Sequence, residues 1–569
     1  MASFAYDNGA RGRLELLAIM GPGAALFDYD GDGDLDLFLP QGGTLPSDTD
    51  AATAASSGGG RLLRNDPQTS GAEVSVRFVD VTARAGLAAG GYGVAAAVGD
   101  YDGDGAPDLL LGTIGGDRLW RNRGDGSFVE ETPEPLRHAG WTSGASFFDA
   151  DQDGDLDLYV VDYVEPVAGV HCFAESSRPD YCGPAAYKPL PDRLLRNDGA
   201  ASAGGPVRWT DLSGSSGIAR AGGPGLGVIA SDVDADGKLD LFVANDGQPN
   251  FLWRNGGGGR FADEGLLSGV ALAREGLPRA GMGVEAGDLD GDGDEELFVT
   301  NLSGEGNTLY VNGGEALFED RTAEAGLAAP SRPWTGFGAA FVDADLDGWL
   351  DLLVVNGAVR LAQASSASAT DAARPETQLR QPAQLYRNRG GARFELMSSA
   401  AAGGAIAEPR VTRGLAVGDV DDDGDVDAVA ALNDGAPRLW LAGANPAAGW
   451  VGVAPCPGAP DAPWLARTVE VAAEWGPPSP ARTTDPGAQE WLASAAGLPL
   501  SALPAHLRRR PHRDGSYASA RDPRVVIGFG RRRARAVELR GGAASVRTLR
   551  WLDPAPRSYL LWCPEGASR

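Results

Sequence analysis

One nine-residue phrase, Asp-x-Asp-x-Asp-Gly-x-x-Asp/Glu, is written seven times along this chain, starting at Asp28, Asp100, Asp149, Asp232, Asp288, Asp343 and Asp419. The first copy reads DYDGDGDLD and the sixth DADLDGWLD. Carboxylates this dense repel one another unless a cation lies among them. The spacing also suits a hard cation. Oxygens come from the side chains at positions 1, 3, 5 and 9 and from the main-chain carbonyl at position 7, and Gly at position 6 permits the sharp turn.

Each loop therefore yields a candidate ligand set. In the first, Asp28, Asp30, Asp32 and Asp36 offer carboxylates and Asp34 a carbonyl. The second has Asp100, Asp102, Asp104 and Asp108 with Ala106, the third Asp149, Asp151, Asp153 and Asp157 with Asp155. The fourth has Asp232, Asp234, Asp236 and Asp240 with Lys238, the fifth Asp288, Asp290, Asp292 and Glu296 with Asp294. Asp343, Asp345, Asp347 and Asp351 with Trp349 form the sixth; Asp419, Asp421, Asp423 and Asp427 with Asp425 form the seventh. An EF-hand is excluded, because residue twelve of the first loop is Leu39 rather than Glu. Magnesium prefers an octahedral shell that keeps several waters, so the pattern points to calcium, one ion per loop and all seven loops competent.

The loops recur at intervals of 49 to 83 residues, and their surroundings recur too. A run of small residues comes first (GVAAAVGD), then the loop, then an apolar strand (LDLFLP, PDLLLGT, LDLYVV). A second strand follows, ending in Arg-Asn or Val-Asn (RLWRN, FLWRN, TLYVN), and then a turn and a strand opening on an aromatic. Asn-Gly and Gly-Asp-Gly pieces are hairpin signals because they tolerate positive φ. Small antiparallel sheets at this spacing suit an all-β, seven-bladed β-propeller, in which radial packing covers the faces and protects the edges. A linear solenoid would repeat at roughly 20–30 residues. Residues 3–18 are expected to supply a strand that closes the ring with the last blade.

The Gly/Ala-rich strand, the acidic loop and the L-[YWL]-R-N-x-G-x-x-F hairpin resemble the FG-GAP/VCBS repeat of integrin α-chain propellers over about residues 15–445. Farther on, DGSYASARDPRVVIGFG (Asp514–Gly530), followed by ARAVELR, resembles the core of the ASPIC/UnbV domain. Together they resemble the cartilage acidic protein family. The resemblance implies a calcium-binding propeller over 1–445 and a small β-rich domain over 446–569. An insert at about 457–512 interrupts that second domain, and its WLASAAGLPLSALPAHL stretch reads as helical between prolines.

Charge divides along the same boundary. Residues 446–569 hold 17 Arg against ten acidic side chains, whereas residues 1–445 hold 32 basic and 68 acidic. The acidic part is a poor partner for nucleic acid, which needs clustered Lys and Arg. The clusters Arg508–Arg510 with Arg513, and Arg531–Arg533 with Arg535, are expected to dock against the acidic propeller; a polyanion contact is the alternative.

Cys172 and Cys182 lie ten apart in a Pro/Gly/Tyr-rich insert and read as a disulfide-closed loop, with Cys456 and Cys563 as a second candidate bridge. Four buried free thiols are the other reading, since disulfides need an oxidising compartment. No apolar run approaches the length of a transmembrane helix. No signal peptide is visible, so either the natural N-terminus lies further upstream or the protein is cytosolic. Weak extracellular-type calcium sites and the cysteines favour a secreted, periplasmic or cell-surface setting.

Catalytic signals are sparse. The four histidines, His138, His171, His506 and His512, form no His-Glu-x-x-His pattern, and no Gly-x-Ser-x-Gly elbow exists. Arg123-Gly124-Asp125, the integrin-recognition tripeptide, sits where other repeats have plain hairpin turns. The sequence thus favours a non-catalytic module that binds a protein or glycan. The alternative is a calcium-dependent polysaccharide lyase or glycosidase built from the inserts near Cys172–Cys182, 357–383 and 457–512, which are longer than hairpins require.

Overall fold

The computed structural model describes residues 4–562, apart from 46–57, 71–72, 88–89, 168, 175–176, 203, 221, 362–377, 434, 444–448, 456–460, 462–464, 466–467, 473–505, 531–535, 542–544 and 551–558. Seven antiparallel sheets follow one another along the chain and form a seven-bladed β-propeller. Blade 2 is representative. Its strands are Tyr92–Gly99, Asp108–Ile114, Arg118–Asn122 and Phe128–Glu130, running from the axis outward. Blades 1 and 3 to 6 repeat that order. Among the described residues blade 7 has three strands, Thr412–Gly418, Asp427–Leu432 and Arg438–Trp440.

The small residues of the innermost strands follow from crowding near the axis. A Cβ on Gly227 would stand 2.4 Å from the Met282 carbonyl oxygen of the next blade. The larger apolar residues lie between neighbouring blades, so each blade–blade interface has its own core. Phe148, Trp253 and Phe261 fill the one between blades 3 and 4; Leu297, Tyr310 and Phe318 join Phe242 between blades 4 and 5. Burial of such side chains is worth roughly 1.5–3 kcal/mol each, which is why stacked blades hold where one sheet would not.

Ring closure differs from the sequence expectation. Residues 4–24 form no strand; Leu16–Met20 is a short helix. Phe4 and Tyr6 instead pack between blades 7 and 1 with Leu26, Leu37, Ala416 and Val429. Asn433 Nδ2 donates to the Ala18 carbonyl at 2.9 Å, and the Gly414 amide to that of Pro22 at 3.0 Å. Among the described residues, apolar contact and scattered hydrogen bonds close the ring where a fourth strand was expected.

Beyond the ring lie two further sheets. One pairs Gly449–Pro455 with Val525–Gly530 and, in parallel, with Tyr559–Trp562; the other orders His506–Arg509, Thr468–Ala472, Ala536–Gly541 and Ser545–Arg550. The helix expected within WLASAAGLPLSALPAHL falls mostly outside the described residues, and its last two residues open the His506–Arg509 strand.

Between these sheets the chain turns back into the propeller. Ser516 and Val284 of blade 5 exchange backbone hydrogen bonds at 2.6 and 3.2 Å. Ala520 N–H donates to Ala24 beside blade 1, and Ala96 N–H of blade 2 to Ala518. Asp514 accepts from the Ser146 hydroxyl of blade 3 and the Ala230 amide of blade 4. The Tyr517 ring packs edge-on against Phe337 at blade 6, and Asp522 N–H donates to Val417 of blade 7. A segment that meets all seven inner strands lies along their common axis.

Candidate functional site

Every acidic loop joins the innermost strand of a blade to the second, so all seven emerge at one end of the propeller. The glycine at position 6 is indispensable to their shape, with φ between 87° and 101° from Gly33 through Gly424. Position 4 is left-handed as well, and Gln152, Ala235, Leu346 and Asp422 adopt it without being glycine. That strain is worth of order 1 kcal/mol at each position and was not evident from sequence. The position-1 carboxylate offsets part of it by accepting backbone N–H groups, as Asp28 does from Gly31 at 2.8 Å and Gly33 at 2.9 Å.

The ligand candidates do converge. Donor oxygens of Asp28, Asp30 and Asp32 lie within 4.8 Å of one another, as do those of Asp232, Asp234 and Asp236. In blades 2, 3 and 5 the converging trio is positions 1, 3 and 9: Asp100, Asp102 and Asp108; Asp149, Asp151 and Asp157; Asp288, Asp290 and Glu296. Burial raises the more enclosed carboxylates of these loops above the ordinary range. Asp36 and Glu296 are pushed up to about 9, Asp100, Asp157 and Asp427 to about 8, and Asp28 to about 6. Several buried oxygens have no hydrogen-bond partner, among them Asp30 Oδ1, Asp151 Oδ1, Asp288 Oδ2, Glu296 Oε1 and Asp421 Oδ1. All-oxygen donors, clustered, desolvated and short of positive charge, fit a divalent hard cation in those loops. Blades 4 and 6 fit less well, because an arginine already occupies the cluster.

Position 9 has a second task. Asp108 Oδ2 accepts from Tyr101 N–H at 2.9 Å and its Oδ1 from Asn122 N–H at 2.7 Å, tying the loop to the third strand. The same asparagine reaches out of its own blade: Asn122 Nδ2 donates to the Tyr29 carbonyl in the acidic loop of blade 1 at 2.8 Å. Asn197, Asn255, Asn312 and Asn388 do this to Tyr101, Ala150, Val233 and Leu289, and Asn65 to Val420 across the closure. Each loop is thus fastened to the next blade, except between blades 6 and 7, where Ala442 takes the asparagine's place. In the sequence these asparagines mark only where a strand ends before a turn. Their recurrence in six repeats, beside variable turn residues, was the available signal.

A cavity of about 730 Å³ opens at this end between the first two acidic loops and the C-terminal domain, with Tyr29, Asp30, Pro107, Arg123, Asp422 and Arg524 on its walls. Arg123-Gly124-Asp125 forms a tight exposed hairpin turn, with Arg123 N–H donating to Ser127 at 3.0 Å. The arginine cluster also comes here: Arg510 lies 3.5 Å from Asp232, and Arg509 Nη2 donates to the Gly348 carbonyl at 2.7 Å. Arg513 pairs with Asp461 at 2.7 Å, inside the C-terminal domain. Arg531–Arg533 and Arg535 lie outside the described residues.

Below the loops, charge is matched around the axial segment. His512 Nε2 stands 3.2 Å from Glu295, which accepts from Ser231 at 2.6 Å, and Arg521 pairs with Glu285 at 2.7 Å. Burial alone would raise Glu295, but the charge and hydrogen bond of His512 outweigh it and hold it at about 2. Burial would likewise lower His512, and Glu295 with Asp514 raises it instead.

The opposite end is mainly apolar, with Arg413 buried over the Phe337 ring at 3.9 Å and Tyr163 donating to Asp246 at 2.7 Å. Cys172 and Cys182 form a disulfide that closes the Cys172–Phe173 and Pro179–Asp180 hairpin. Cys456 and Cys563 lie outside the described residues. Tyr181, Ala358 and Leu379 from the two inserts join Leu16, Ile19 and Met20 over Phe337 and Tyr517. The described parts of the inserts thus lean over the axis, bringing mainly hydrophobic groups.

A family model described as an FG-GAP-like repeat matches residues 100–160, 232–299 and 288–354. Cartilage acidic protein 1 of Xenopus tropicalis is 29% identical over 174 residues, 29% of this chain and 25% of that protein. This chain therefore spans about a quarter of the length of the curated relatives it matches. Among solved structures, an Agrocybe aegerita lectin that recognises non-reducing terminal N-acetylglucosamine has 17% identity and a TM-score of 0.37, covering 68% of this chain and 88% of that one. An exotype rhamnogalacturonan lyase has 14% identity and a TM-score of 0.36, covering 74% and 72%. Those two likenesses do not bear on what this chain binds.

Proposed function

We propose that this propeller of FG-GAP-like repeats, homologous in part to cartilage acidic protein 1, is a calcium-loaded binding module without catalytic activity. The observation that carries the reading is the set of acidic loops at one end, where clustered carboxylates include buried oxygens with no hydrogen-bond partner. An ion supplies the balancing positive charge. Asp28, Asp30 and Asp32, and their counterparts in the blades whose cluster holds no arginine, would hold it. The chain's own contribution is rigidity. A loop fixed by its ion holds the position-2 carbonyl to which the next blade's asparagine is fastened, so occupancy stiffens the ring.

The ligand-binding face in this reading is the loop end, at the cavity between blades 1 and 2, and its ligand is a protein or a glycan. A calcium-dependent carbohydrate-active enzyme is the alternative. A propeller enzyme of that kind needs an open pocket on the axis, whereas here Tyr517 and its neighbours fill the axis. The disulfide supports a secreted, periplasmic or cell-surface setting, where millimolar calcium fills weak sites. Among the described residues no helix is long and apolar enough to cross a membrane.

Native mass spectrometry with thermal melting, with and without chelator, tests the calcium reading. Chelation lowers the Tm, and several ions are counted; two or fewer ions with an unchanged Tm would refute it. A glycan array run beside a polysaccharide-degradation screen separates binding from turnover, and turnover at wild-type purity would favour the enzyme.

A further inference from the structure

The seven loops are not equivalent, and the difference traces to one side chain. Each Arg-Asn pair that ends a third strand places its arginine beside the acidic loop of its own blade. In blades 1 and 3 the next residue is aspartate, and it takes the guanidinium: Arg64 pairs with Asp66, and Arg196 with Asp198, both at 2.7 Å. In blade 2, Glu131 holds Arg121 at 3.0 Å, leaving 3.7 Å to Asp102. Blade 5 has Val311 and blade 7 has Leu441 at the arginine's place.

Blades 4 and 6 have no such acceptor. Gly256 and Arg389 stand where blades 1 and 3 have aspartate, and Glu264, the counterpart of Glu131, is 4.0 Å from Arg254. Arg254 consequently turns into the loop, pairing with Asp234 and standing 3.1 Å from Asp240. Lys238 takes Asp236, and Arg510 of the axial chain lies 3.5 Å from Asp232. All four carboxylates of that loop thus face a cationic side chain. Arg387, only 4% exposed, does the same in blade 6, pairing with Asp345 and lying 3.2 Å from Asp347.

We propose that Arg254 and Arg387 act as built-in cations, so that blades 4 and 6 hold their loops without a metal ion and the protein loads five ions rather than seven. A guanidinium and a divalent ion within one desolvated cluster repel each other strongly, and the arginine is covalently present at any calcium concentration. The proposal rests on the calcium reading of the other five loops.

Native mass spectrometry of the full chain, titrated with calcium chloride, counts the ions directly. The wild type takes up five. Arg254→Met and Arg387→Met each add one. Gly256→Asp and Arg389→Asp, which restore the aspartate of blades 1 and 3, should draw the arginine out and likewise add one each without removing a side chain from the loop. Seven ions on the wild type, or five on all four variants, overturns the proposal while leaving the calcium reading intact. Two or fewer ions on every protein overturns the calcium reading and this inference with it.

Discussion

The two ends of the propeller are held by different physics. At the loop end, side chains that would rather be in water are gathered and buried, with Asp36 and Glu296 pushed up to about 9 by desolvation. At the capped end, Leu16, Ile19, Tyr181 and Phe337 are where their chemistry sends them. The same strands run between both ends, so the contrast lies in the connections alone. In the calcium reading the loop end depends on what the solvent supplies, whereas the other is held by apolar packing and the Cys172–Cys182 disulfide.

Removing divalent ions should break that contrast most sharply. Each site held at tenfold its dissociation constant contributes about 1.4 kcal/mol, so several together amount to roughly 7 kcal/mol. Hydrogen exchange in chelator should rise in the acidic loops and stay unchanged around Leu16–Met20. Equal deprotection at both ends would mean that the loops are not an ion-dependent unit.

Tyr517→Ala comes next, at about 3–5 kcal/mol, because the side chain is wholly buried between Phe337 and the Met20 carbonyl, to which its hydroxyl donates at 2.9 Å. Limited proteolysis should then cut near residues 512–522, which the wild type protects. A variant with native Tm and native protection would show that the axial segment is not part of the core.

Asn197→Ala should cost about 1–3 kcal/mol, since it leaves the Tyr101 carbonyl of blade 2 buried without its donor. The matching change in blade 7 does not exist, as Ala442 is already there. If Asn197→Ala melts like the wild type, the link between neighbouring blades is dispensable.

The remaining test is the pH response of the His512–Glu295 pair. Glu295 is held at about 2, so its contribution is present above the unfolded value near pH 4.3 and lost as pH falls towards 2. His512 is raised, so its contribution is complete below about pH 6.5 and lost as pH rises through its folded value. Stability from the pair therefore peaks between about pH 4.5 and 6.5. His512→Asn should flatten the alkaline side of a Tm-against-pH curve; an unchanged slope would assign that side to other groups.

What repetition encodes was legible in the residues: blades, loops and their candidate ligands all recur, so each copy corroborates the rest. What occurs once was not. DGSYASARDPR shows no period and no amphipathic face, and nothing local marks Tyr517 as a core residue. Its burial comes from distant partners, Met20, 497 positions earlier, whose carbonyl accepts from its hydroxyl, and the Phe337 ring. The expected N-terminal strand failed for a related reason. Blade 7 gains its closing contacts from Phe4 and Tyr6, whose pairing depends on the gap that the other blades leave. Arg254 and Arg387 lay between these cases, visible as a motif but decided by the residue two places on, Gly256 or Arg389.

The position of the axial segment also sets an order in time. Chains leave the ribosome N-terminus first at about 5–20 residues per second, so Ser516 emerges several seconds after Leu432 completes the second strand of the last blade. Through that interval the nascent ring has an unfilled centre, with Glu285 and Glu295 facing inward before Arg521 and His512 exist to meet them. The contacts that fill the centre are thus the last that synthesis makes available, and a ribosome stalled before codon 512 holds a chain whose Glu285 and Glu295 lack their axial partners.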